Sequence, residues 1–222
     1  MQRHLVWLAV LGALLLPTPA PAAPDEPFGV EPVARPTQTA ILREWKTMPQ
    51  KLLRDAAVLE ACREDSSQCS QASSTLIGLI DRVKGFNLYT KLVEVDTAVN
   101  QTVAYVPDLE QWGPTEESGA SEVWSSPLDT AASGKGDCED LVNLKFFVLW
   151  QAGMPLDQMR LVVLDYDVGQ LHIVLAVRAA QEWLLLDNSP LKKAINPGVQ
   201  YALRAYDLYA PSAMATALPA AR

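Results

Sequence analysis

Apolar positions recur at helical intervals in the first half of the chain and at strand intervals later on. Ile41, Leu42 and Trp45 come before Pro49, and Leu52, Leu53, Ala56, Val58 and Leu59 come after it. Proline removes a helical hydrogen bond, so this spacing predicts two helical pieces separated at Pro49. Leu76, Ile77, Leu79, Ile80 and Val83 predict a short helix that ends at Gly85, a C-cap residue. Leu88, Leu92, Val95 and Val99 predict a longer helix running toward Tyr105. From Pro107 to Gly136 the pattern lapses into a loop, and long loops in compact domains are often functional. Its Trp112 and Trp124 suit either a cleft surface or a plugged core.

Leu141, Leu144, Phe147 and Val148 restore helical spacing, with Gly153 and Pro155 closing the helix, so Cys138 falls in its first turn. The period then changes. Arg160 to Tyr166, Gln170 to Arg178 and Trp183 to Asp187 are β-branched or apolar runs of strand length. The expected fold class is α+β, with N-terminal helices and a mostly antiparallel sheet packed on the cysteine-bearing helix.

Composition narrows the setting. Arg3, the apolar run Leu5 to Leu16 and the small residues Ala20-Pro21-Ala22-Ala23 have the order of a secretory signal peptide over residues 1–22. That run is short of the roughly 20 apolar residues a membrane span needs. Residues 23–36 are proline-rich with few large apolar groups and read as a disordered leader, leaving 37–222 as one domain. The expected product is an exported, periplasmic protein that is not membrane-embedded. A formal net charge of −8 with no basic run disfavours nucleic acid as a partner. Cys62 and Cys69 flank a polar stretch that an oxidising compartment would close as a disulfide, two free thiols being the alternative. In either case Cys138 is the odd cysteine, a flag for reactivity.

The chain holds two histidines, and His4 lies in the segment expected to be cleaved, so His172 is the imidazole left for chemistry. A helix N-terminus stabilises a thiolate at Cys138, and its amides can serve an oxyanion. Gly134 and Gly136 keep the approach open. Gly134-Lys135 is not followed by Ser or Thr, which excludes a phosphate loop. A turn at Ala179-Ala180 sets His172 directly opposite Asp187, and a loop over 179–182 leaves them diagonal on the same face. An odd-length loop separates them. On a shared face Asp187 orients His172, which serves as base to Cys138.

The segments Gly134 to Leu144 (GKGDCEDLVNL), Gln170 to Leu175 and Leu186-Asp187-Asn188 resemble the bacterial transglutaminase-like cysteine proteinases, over roughly Tyr105 to Tyr209. The resemblance implies a papain-like or transglutaminase-like core with Cys138, His172 and Asp187 as a triad. It also implies calcium held by Asp137, Glu139 and Asp140. A periplasmic endopeptidase acting on the N-terminal region of a large surface adhesin, and so on biofilm attachment, is the implied activity. An inner-membrane receptor responsive to a cyclic dinucleotide is the implied regulator. Carboxylates beside Cys138 complement the helix dipole, yet they oppose thiolate formation, a penalty that a hard cation cancels. Acyl transfer to an amine, as in a transglutaminase or amidase, uses the same three residues. A binding module on this scaffold would leave the thiol unactivated.

Overall fold

The computed structural model describes residues 39–114, 122–167, 170–180, 182–188 and 206–207. The expected signal peptide and leader lie outside these residues. Helices come first: α1 (Thr39–Glu64), α2 (Gln71–Lys84) and α3 (Leu88–Thr102). The short strand β1 (Ala104–Tyr105) and helices α4 (Asp108–Trp112) and α5 (Pro127–Ser133) follow. Then come β2 (Lys135–Gly136), α6 (Cys138–Gln151), β3 (Met159–Asp167), β4 (Gln170–Ala179), β5 (Glu182–Leu186) and β6 (Tyr206–Asp207). The α+β class predicted from patterning holds.

Pro49 does not break the first helix: α1 runs through it. Met48 and Leu52, on either side of the proline, are both buried in the same core. Burial on both flanks offsets the roughly 3 kcal/mol that a helix-interior proline costs. The Thr47 hydroxyl also donates to the Glu44 carbonyl at 2.8 Å. α2 and α3 match their predicted spacing and begin at Ser70 and Asn87, whose side chains accept the Ser73 and Thr90 amides. Cys62 and Cys69 are disulfide-bonded across the α1–α2 connection.

Of the stretch from 107 to 136, the described residues 107–114 and 122–136 hold two short helices, α4 and α5, where the sequence pattern predicts a loop. Ser126 accepts the Asp129 amide and Pro127 takes the first helical position, which together start α5. Gly134 then closes α5 with a left-handed φ of 64°. Trp124 is fully buried, edge-on to Trp45, whereas Trp112 is 53% exposed. The two tryptophans therefore divide between core and surface.

α6 is buried on all sides from Cys138 to Trp150, its apolar residues in the core and Glu139, Asp140, Asn143 and Lys145 buried along with them. It packs on a four-stranded sheet of order β5-β4-β3-β6, antiparallel throughout. Ile173, Leu175 and Val177 of β4 join Leu161 and Val163 of β3 in the core shared with α6. Val174 and Ala176 lie on the other face with Val162, Trp183 and Leu185. The β4–β5 ladder closes at Ala179 opposite Glu182, one residue later than the turn expected at Ala179-Ala180. Ala180 makes that turn with a positive φ of 55°.

Candidate active site and acidic metal-binding group

Two structural devices assemble the site. The first is the β4–β5 hairpin. Its ladder pairs Leu175 with Leu186, so one further step sets Asp187 against Val174 and diagonal to His172 on the same face. This is the shifted register of the two even-loop alternatives. His172 Nε2 and Asp187 Oδ1 stand 2.7 Å apart. A carboxylate only accepts, so Nε2 carries the proton and Nδ1 becomes the basic nitrogen of the neutral ring.

The second device is the parallel pairing of β1 with β2, which sets Ala104 against Lys135 and Tyr105 against Gly136. The Val106 amide donates to the Gly136 carbonyl at 2.9 Å. Through this pairing the start of α4 comes to lie against the start of α6. The Asp108 amide donates to Asp137 Oδ2 at 3.3 Å. Asp137 is the N-cap of α6, with Cys138, Glu139 and Asp140 filling the first turn.

Cys138 is the free cysteine among the described residues, and it is 9% exposed. Its thiol donates to Glu139 Oε2 at 3.0 Å. The Ile173 amide, adjacent in the chain to His172, donates toward Sγ. The structure thus brings His172 and Asp187 into direct contact and seats Cys138 against the backbone one residue from His172. Burial pushes the Cys138 thiol well above its ordinary pKa, and the charges of Glu139 and Asp137 push it further.

The acids explain themselves in the same terms. Asp108, Asp137 and Glu139 each offer a carboxylate oxygen within 4.8 Å of the others, and all three are buried. Burial is the leading cause that raises Asp137 and Glu139, and it pushes Asp108 up to about 7. One oxygen each of Asp108 and Asp137 is buried without a hydrogen-bond partner. Three clustered carboxylates, two of them with an unsatisfied buried oxygen, form a donor set of the kind that hard divalent cations take. Asp108 was not singled out by sequence; its signal was its place at the head of the loop that precedes the nucleophile. Asp140 stands outside this trio. Its Oδ1 accepts the Ser125 amide at 2.7 Å, while Oδ2 is buried without a partner, and burial pushes its carboxyl up to about 8. Gly136 packs so closely here that an added Cβ would lie 2.6 Å from the Asp140 Cβ.

The chain is similar to known proteins. LapG of Legionella pneumophila in a calcium-bound structure is 28% identical, with a TM-score of 0.47 over 59% of this chain and 72% of that one. An EGTA-treated structure of the same protein is 26% identical, with a TM-score of 0.46 over 60% and 70%. No curated protein matches the chain. The family model of bacterial transglutaminase-like cysteine proteinases (BTLCP) matches residues 52–201, which include Asp108 and the segments of Cys138, His172 and Asp187. That match spans most of the chain, which belongs to the bacterial transglutaminase-like cysteine proteinases.

Proposed function

We propose that this cysteine proteinase is a calcium-dependent endopeptidase whose nucleophile is Cys138, with His172 as base and Asp187 orienting it. The observation that carries the reading is the 2.7 Å contact between His172 Nε2 and Asp187 Oδ1, which leaves Nδ1 available for proton transfer. In this mechanism Sγ attacks the scissile carbonyl carbon as Nδ1 takes the thiol proton. The amides of the first turn of α6 donate to the developing oxyanion. Collapse of the tetrahedral adduct breaks the C–N bond, and the imidazolium returns its proton to the departing amine. Water, deprotonated by the same nitrogen, then hydrolyses the thioester and regenerates the thiol.

Asp108, Asp137 and Glu139 are the residues proposed to hold calcium, with Asp140 close by in the same turn. Bound there, the ion supplies positive charge beside Asp137 and Glu139, the two carboxylates that oppose thiolate formation. The signal-like residues 1–22 support a periplasmic setting. The motif resemblance of residues 134–144 supports a large surface adhesin, cut in its N-terminal region, as substrate. An inner-membrane receptor responsive to a cyclic dinucleotide is the proposed regulator.

The test incubates the purified protein with the N-terminal region of a large repeat-containing adhesin from the same genome. A discrete cut in calcium, its loss in excess chelator and its absence with Cys138→Ala are expected. Full activity in excess chelator refutes the metal dependence, and cleavage by Cys138→Ala refutes the nucleophile. Added amine that appears covalently on the new carboxyl end would assign acyl transfer instead of hydrolysis.

A further inference from the structure

The aspartate that orients His172 lies one residue beyond the last laddered residue of β5, Leu186. Its backbone is gripped from another element: Asn100 of α3 donates from Nδ2 to the Asp187 carbonyl at 3.1 Å. A carbonyl only accepts, so the amide nitrogen must be the group that faces it. One turn earlier on the same face of α3, Asp96 Oδ1 lies 2.7 Å from Lys145 Nζ. The Lys145 side chain is fully buried, and it lies two turns along α6 from Cys138 on the same face. One face of α3 therefore holds the nucleophile's helix at Asp96 and the orienting aspartate at Asn100.

From this arrangement we infer that Asn100 is a positioning residue of the reaction, and that α3 is a polar strut setting Asp187 in register with the helix that carries Cys138. The inference rests on the proposed roles of His172 and Asp187. Asn100 touches neither substrate nor thiol. It acts by fixing the Asp187 backbone so that Oδ1 meets Nε2. Without the amide, the backbone at Asp187 gains freedom, and the carboxylate no longer selects a single ring tautomer. Lys145 is too deep to be tested alone, because removing it leaves Asp96 without its cation and weakens the fold.

The chain itself offers a clean readout. In a His4→Gln background His172 is the sole imidazole of the full chain, so nitrogen-15 histidine labelling reports on it alone. At a pH above the ordinary imidazole range of about 6.5, the parent should show one tautomer with the proton on Nε2. Asn100→Ala should show a mixture of tautomers and a kcat about ten- to a hundredfold lower, with KM unchanged and the same unfolding midpoint within a few degrees. Asn100→Gln keeps an amide donor and should restore some of both. A wild-type kcat with a single tautomer in Asn100→Ala overturns the inference. So does a loss of kcat that leaves the His172 spectrum untouched, the mark of a merely structural role. If the parent cleaves no substrate, the spectrum still decides: a mixed tautomer in Asn100→Ala keeps Asn100's positioning role while the peptidase reading falls.

Discussion

Raising the pH of the calcium-free protein should destabilise it, in a window where most proteins are near their most stable. Asp108 titrates at about 7 and Asp140 at about 8 in the folded chain, against 3.8 for an unconstrained aspartate. Both folded-state values are raised, so the folded chain holds protons that the unfolded chain has already lost. Stability is therefore fully present below the unfolded value and is lost as pH rises through the folded ones. One such proton costs about 1.4 kcal/mol per pH unit, so about 3 kcal/mol is lost between about pH 5 and 7 for a single group and at most about 5 for two. For a chain of this size the melting temperature should fall by about 6 to 20 °C over that interval. Asp65 and Asp81, whose values are lowered, act below this window and do not mask the trend. Thermal unfolding in chelator and in calcium, across pH, reads the effect. Calcium should flatten the slope, because it favours the ionised carboxylates, and should stabilise more at about pH 8 than at about pH 5. A melting temperature in chelator that is flat or rising across the window refutes the account of the acid cluster.

Three sets of substitutions test other joints. Lys145→Met leaves Asp96 without its cation and should cost about 2 to 4 kcal/mol, read as a lower denaturation midpoint, and adding Asp96→Asn should recover much of it. Asp187→Ala should lower kcat by about 10² to 10⁴ with little change in melting temperature, while Asp187→Asn, which still offers Nε2 an oxygen, should lose less. Gly136→Ala forces its new methyl against Asp140 and should cost about 1 to 3 kcal/mol by overpacking, with a larger fractional loss of kcat than of folded protein.

What the sequence made legible was whatever has a period or a cap. α6 carries apolar residues at helical spacing, so the position of Cys138 in its first turn could be read directly. Strand parity restricted His172 and Asp187 to one face for any even loop, and the diagonal register is one of the two admitted. The turn itself escaped because Ala180, at positive φ, gives none of the glycine or asparagine signal that such turns usually carry. Pro49 misled because a local rule was outweighed by burial of Met48 and Leu52 on both sides of it. Asp108 escaped because its approach to Asp137 depends on β1 and β2, two-residue strands too short to show a period. Asn100 gave no signal, since its partner is a backbone carbonyl far along the chain.

If Cys138 is a nucleophile held back by carboxylates that bind an activating ion, its own reactivity must respond to that ion. Cys138 is the one free cysteine of the chain, Cys62 and Cys69 being bonded to each other, so alkylation by iodoacetamide followed by intact mass reads it alone. The rate should be measured against pH with calcium and with chelator. Calcium should move the rise in rate to lower pH by about one unit or more, as removal of the like-charge penalty on the thiolate requires. Superimposable curves would contradict it.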